Sequence, residues 1–163
     1  MKKLAIVALI MINMVLAACS NTGKEHAEEQ HAGEGQEMQL GDIREETGGP
    51  QELPPFLEGK PEDMQTVYQA AALNKDLLEK IPCYCGCGES VGHKDNYDCF
   101  IHDNKEDGRI VWDDHGTKCI VCLEIAAQSI SDYRNGKSVK EIRKEIDEKY
   151  KEGYAEPTPT EEV

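Results

Sequence analysis

Aromatic residues are scarce in this chain: one Trp, two Phe and six Tyr among 163 residues. So few large side chains exclude an extensive core, and small cores usually need a metal or disulfides as reinforcement. Positive charge is scarce too. Eighteen Lys and Arg face 32 Asp and Glu, for a net charge of −14, which argues against nucleic acid or anionic headgroups as partners held by a general field. Long apolar runs are missing except near the start, where only Asn13 interrupts Leu4 to Val15. That run has the length of a secretory h-region and is too short for a transmembrane helix. No paired acid and base, activated nucleophile or phosphate loop stands out, and the acidic turn around Asp113 and Asp114 lacks a calcium-loop pattern. There is no internal repeat.

Cysteine, by contrast, is abundant and concentrated. Cys83, Cys85 and Cys87 lie in Pro-Cys-Tyr-Cys-Gly-Cys-Gly, followed by Cys99, Cys119 and Cys122. In an extended segment the first three sulfurs would leave the backbone on one side. On a helix the last two would share a face. His93, His102 and His115 fall in the same window. Such a density of soft donors serves to hold a metal or to staple a small fold.

The seventh cysteine has another use. Met1-Lys2-Lys3, the apolar run and then Leu16-Ala17-Ala18-Cys19 resemble a bacterial lipoprotein signal, with cleavage before Cys19 and diacylation of its thiol. On this reading residues 1–18 are a signal peptide and the membrane is a partner through the lipid. The protein would sit on the extracytoplasmic face of the cell membrane, with an even six cysteines for the domain. Loss of Lys2 and Lys3, two positive charges, would take the net charge from −14 to −16.

Residues 19–55 read as a flexible, lipidated tether. They are rich in Gly, Glu, Gln and His, and Gly48-Gly49-Pro50 and Leu53-Pro54-Pro55 cannot continue a helix. His26 and His31 belong to this spacer. The cysteine-rich domain is expected over 56–154 and a disordered tail over 155–163. Pro61, Glu62 and Asp63 open a helix whose apolar positions are Met64, Val67, Tyr68, Ala71, Leu78 and Ile81, and Pro82 ends it. Cys99 to His102 and Arg109 to Trp112 form a hairpin about a turn ending in Asp107-Gly108. A second helix, about 118–134, carries a stripe of Ile120, Leu123, Ala127, Ile130 and Tyr133. A third opens with the capping box Ser138-Val139-Lys140-Glu141 and buries Val139, Ile142, Ile146 and Tyr150. The expected class is α+β, mainly helical, with three helices and a short hairpin.

A cysteine turn, a hairpin and a helix opening on Cys-x-x-Cys follow one another in the layout of a treble-clef zinc site. The principal donors are then Cys85, Cys87, Cys119 and Cys122. Gly86 and Gly88 let amides approach the sulfurs, and a helix N-terminus favours thiolates. Cys83, Cys99, His93 and His115 are further candidates, because Cys-x-Cys-x-Cys offers more than one tetrahedral ion requires. His102 is expected on the hairpin surface. Zinc is the plain choice and copper(I) the alternative, alone or with a disulfide beside it. Three disulfides with fifteen possible pairings are a competing use of the six thiols. They would make a binding module for an envelope protein or other envelope component. Cys119-Ile120-Val121-Cys122 also has the spacing of thiol oxidoreductases, without their strand pattern before it.

Together, Pro82-Cys83-Tyr84-Cys85-Gly86-Cys87-Gly88, the run Gly92-His93-Lys94-Asp95-Asn96 leading to Cys99-Phe100, and Cys119-Ile120-Val121-Cys122 resemble the PCYCGC-motif lipoproteins of Bacillus-type bacteria. The resemblance spans roughly Leu53 to the Pro-Thr-Pro-Thr tail and implies a lipid-anchored surface protein. The metal-binding expectation rests on the thiols themselves.

Overall fold

The Asp107-Gly108 turn closes an antiparallel hairpin in the computed structural model, which describes residues 41–163. Its arms are β2 (Ile101–Asn104) and β3 (Ile110–Asp113), with a bulge between Ile101 and Asp103. A further strand, β1 (Arg44–Thr47), adds antiparallel to β3 and sets the order β1-β3-β2. The helices are α1 (Glu62–Ala72), α2 (Lys75–Leu78), α3 (Cys87–Ser90), α4 (Ile120–Arg134) and α5 (Val139–Tyr150). The mixed α+β class expected from the sequence is observed. The expected signal peptide, Cys19, His26 and His31 lie outside the described residues. Among those described, no helix is long and apolar enough to cross a membrane.

Strand β1 falls where the sequence reads as tether. Its residues, Arg-Glu-Glu-Thr, carry no apolar alternation, so nothing local marks them as strand. Tertiary partners hold them instead. Arg44 pairs through Nε with the buried carboxylate of Asp113 at 3.1 Å, and Trp112 Nε1 donates to Thr47 Oγ1 at 2.8 Å. The fold therefore begins well before residue 56. The expected tail is tied down as well: Ala155 donates its amide to Tyr84 O (3.2 Å) and Thr158 to Cys83 O (2.9 Å).

Two helical expectations change. The first helix breaks at Leu73-Asn74, where Asn74 leaves helical geometry and its side-chain amide takes the carbonyl of Ala70 at 2.7 Å. An asparagine offers the backbone just such a competing partner. On α4 the buried face is Cys122, Ile125, Ala126 and Ser129, flanked by Leu123 and Ile130. Ile120 and Tyr133, placed by periodicity in the core stripe, are 65% and 48% exposed, and Ala127 is exposed too. The face that docks contains a serine and a cysteine, which an apolar count passes over.

Three aromatic side chains organise the core beside the cysteines. Tyr68 on α1 meets Phe100 edge-on at 5.0 Å, lies 6.4 Å from Trp112 and donates its hydroxyl to Asp113 O at 3.0 Å. Helix α5 closes the other side, burying Ile142, Ile146 and Tyr150. Tyr150 stacks on Tyr84 of the cysteine loop at 5.7 Å, while the Tyr84 hydroxyl donates to Asp147 at 2.7 Å. The loop is therefore gripped by α5 on one side and the C-terminal segment on the other.

Candidate metal centre

The cysteine loop reaches its shape through one left-handed residue. Gly86, at φ +84°, ends the extended run and turns the chain into α3, a conformation that a Cβ would strain. Cys83 and Cys85 precede the turn and Cys87 follows it, so a bend rather than strand alternation brings their sulfurs together. Gly92, at φ +79°, then returns the chain so that His93 donates its amide to Cys87 O at 3.3 Å. The Tyr97–Cys99 turn carries Cys99 in from the hairpin side, and the first turn of α4 supplies Cys122.

Sulfurs separated by up to 39 residues meet at this point. Cys83, Cys85 and Cys122 make a triangle with every Sγ···Sγ distance 3.4 Å, and Cys87 lies 3.8 Å from Cys99. The sulfurs of Cys83, Cys85, Cys87 and Cys99 are all within 4.8 Å of one another. These are non-bonded contacts, longer than the ~2.05 Å of a disulfide, and all six cysteines of the domain are free thiols. Four thiolates at ~2.3 Å from a tetrahedral ion would stand ~3.8 Å apart, so the observed spacing fits such an ion.

The two histidines extend the donor set. His115 groups with Cys85 and Cys122, and both His115 and His93 group with Cys87. The imidazole rings meet edge-on at 4.7 Å. His115 Nδ1 lies 3.3 Å from Asp42 Oδ2, an arrangement that orients a ring for ligation through its other nitrogen. His93 is buried, and its Nδ1 has no hydrogen-bond partner among the described residues. The structure groups these candidate donors differently from the arrangement that their spacing suggests. Cys83 and Cys99 join the central group, whereas Cys119 joins none of the mutually close groups. The reason is local: Cys119 precedes α4 in extended conformation (φ −137°, ψ 111°) and so does not share a helix face with Cys122. His102 is exposed, as expected.

Crowding divides the thiols by charge. The proton of Cys122, shared toward Cys83, is the main reason that Cys83 is lowered to about 4. The same neighbour lowers Cys85 still further. Cys122 is itself pushed up, by Cys119 first and then Cys83 and Cys85. The helix N-terminus does not make it the thiolate of the group. Burial raises Cys99. Cys87 is also raised: Cys122 acts on it in the opposite sense, and Cys83 and Cys85 together outweigh that. Cys119 falls to about 7 through its contact with Cys122. His115 rises to about 9, chiefly through Cys85, with burial opposing and Asp42 adding. His93 is lowered by burial and by His115, which keeps a neutral ring available as a ligand. The thiolate form is thus favoured at Cys83 and Cys85, while Cys87, Cys99 and Cys122 are held toward the neutral thiol.

One supporting residue is not a candidate donor. Asn96, fully buried, donates its backbone amide to Ile81 O at 2.9 Å and its side-chain amide to Cys122 O at 3.2 Å. It thereby fastens the cysteine loop to α4. Gly116 is a second such residue. A Cβ there would lie 2.9 Å from Phe100 Cε1 and Tyr68 Oη and 3.0 Å from Cys99 O. Only glycine lets the turn carrying His115 sit this close to the core.

A family model described as "Protein of unknown function with PCYCGC motif" matches residues 7–162. No curated protein and no solved structure matches the chain.

Proposed function

The chain belongs to the PCYCGC-motif family, and we propose that it is a metal-binding protein, held at the extracytoplasmic membrane surface by lipid on Cys19, whose buried thiolates take zinc or copper(I). The convergence of Cys83, Cys85, Cys87, Cys99 and Cys122 carries this reading. A triangle of thiols spaced at 3.4 Å beside a pair at 3.8 Å meets a desolvation and repulsion cost on ionising that a thiophilic cation removes. The orphaned Nδ1 of His93 fits the same purpose, since a buried unpaired polar atom costs about 1–3 kcal/mol and a ligated one does not. Cys85 is the least buried of the five and lies beside partly exposed His115, which makes that side the route for metal exchange.

Metal content of the full chain, purified without chelator, tests the proposal. Tightly bound zinc or copper is expected. Cys87→Ser should lose it, because two of the close donor groups share Cys87, while Cys119→Ser should retain it. Structural metal contributes on the order of 10 kcal/mol in small zinc domains, so a strong chelator should unfold the protein and reductant alone should not. A metal-free protein that unfolds on reduction would instead be a disulfide-stapled module. The anchor is tested separately: Cys19→Ala should leave the membrane fraction or remain unprocessed, and membrane retention of a processed variant would rule the lipid out.

A further inference from the structure

We infer that the centre is dinuclear: one thiophilic ion among the sulfurs of Cys83, Cys85, Cys87 and Cys99, and a second held by Cys87, His93 and His115, with the Cys87 thiolate bridging the two. This rests on the metal-binding reading above and asks how many ions that one site takes.

The donor count raises the question. Cys83, Cys85, Cys87, Cys99, Cys122, His93 and His115 bring seven ligand atoms to one region, and a tetrahedral ion needs four. The extra donors are not scattered around the first group. Two of them, His93 and His115, form a set with Cys87 whose ligand atoms lie within 4.8 Å of one another and which shares only Cys87 with the four-sulfur group, while the third, Cys122, groups with Cys85 and His115. A thiolate sulfur has lone pairs for two ions, so one shared cysteine is what a bridge requires.

Both histidines are prepared for such a role. His93 is 6% exposed and its buried Nδ1 has no partner among the described residues, a cost that a ligand at this point would remove. His115 is turned by Asp42, at 3.3 Å from its Nδ1, which leaves Nε2 to coordinate. The rings, 4.7 Å apart and inclined at 68°, meet edge-on instead of stacking. Neither ring is needed to complete the four-sulfur group. Two imidazoles and a thiolate suit borderline and soft ions of the zinc and copper kind.

Anaerobic titration of the metal-free full chain with zinc and, separately, with copper(I), followed by native mass spectrometry, counts the ions. Two equivalents per chain are expected for at least one metal, with metal–metal scattering in the X-ray absorption spectrum. His93→Gln and His115→Gln should each fall to one equivalent and lose that scattering, with wild-type helicity by circular dichroism. His115→Gln, at a partly exposed position, supplies the readout should His93→Gln fail to fold. One equivalent in the wild type with both metals overturns the dinuclear centre and leaves the metal-binding reading intact. Two equivalents retained in both histidine variants also overturn it. No metal bound at all sinks the metal-binding reading itself.

Discussion

Thr158 grips the backbone of Cys83 from both sides: its amide donates to Cys83 O at 2.9 Å, and its hydroxyl accepts from Cys83 N, also at 2.9 Å. The first cysteine of the motif is thus paired, strand-like, with a residue 75 positions later. Thr160 extends the strap by donating its hydroxyl to Lys94 O at 2.8 Å, and Arg143 on α5 reaches the carbonyl of Glu161. The segment around Thr158 and Thr160 is a structural part of the cysteine cluster.

Thr158→Val should test that strap. Valine keeps the shape and the amide bond but removes the acceptor of a buried N–H, at a cost of about 1–3 kcal/mol. Urea denaturation should show this loss. The release of metal to a chelator should accelerate in the same variant, because Cys83 is then less firmly held. Unchanged release kinetics would mean the strap does not position the sulfur.

Gly116→Ala should be destabilised by overpacking, typically about 1–3 kcal/mol, because the new methyl would meet Phe100, Tyr68 and Cys99 O at 2.9 to 3.0 Å. The backbone of Cys99 cannot swing away as a flexible side chain would. Thermal denaturation should show a lowered midpoint, and near-ultraviolet dichroism should change as the Tyr68–Phe100 contact adjusts. A variant with wild-type stability would show that this turn is less tightly packed than the structure places it.

The capping box of α5 predicts a pH dependence far from the cysteines. Ser138 Oγ accepts from Glu141 N at 3.3 Å, and the Glu141 carboxylate accepts from Ser138 N at 2.9 Å and from its hydroxyl at 2.7 Å. These bonds hold the carboxyl below its ordinary 4.5. A lowered folded-state value stabilises above the unfolded value and is lost as pH falls through the folded one. Ser138→Ala should therefore cost about 1 kcal/mol near neutrality, and the gap to wild type should narrow below about pH 4.5 in paired denaturation curves. A gap independent of pH would show that the carboxylate does not contribute.

Local chemistry was readable wherever a residue acts on its own neighbours. The hairpin about Asp107-Gly108, the capping box at Ser138 and the apolar spacing of Ile142, Ile146 and Tyr150 all appear where the sequence places them. Strand β1 did not announce itself, because what makes Arg44 and Thr47 a strand is Asp113 and Trp112, more than sixty residues away. The rotation of α4 was hidden for a related reason. Its docked face includes Ser129 and Cys122, whose burial depends on what they meet and not on their own hydrophobicity.

The sequence by itself determined the kind of site: soft sulfur and imidazole donors, in numbers beyond one ion's need, on a small α+β scaffold with few aromatics. Donor chemistry is a property of each residue and survives without a fold. Which donors meet was decided only by tertiary structure. Spacing favoured Cys119 beside Cys122, and the two thiols do touch, yet Cys119, at the extended N-cap of α4, joins none of the close groups, while the left-handed bend at Gly86 and the turn before Phe100 bring in Cys83, Cys87 and Cys99. Sulfur positions are set by backbone torsions and by remote partners such as Thr158 and Asn96, and a one-dimensional interval contains neither.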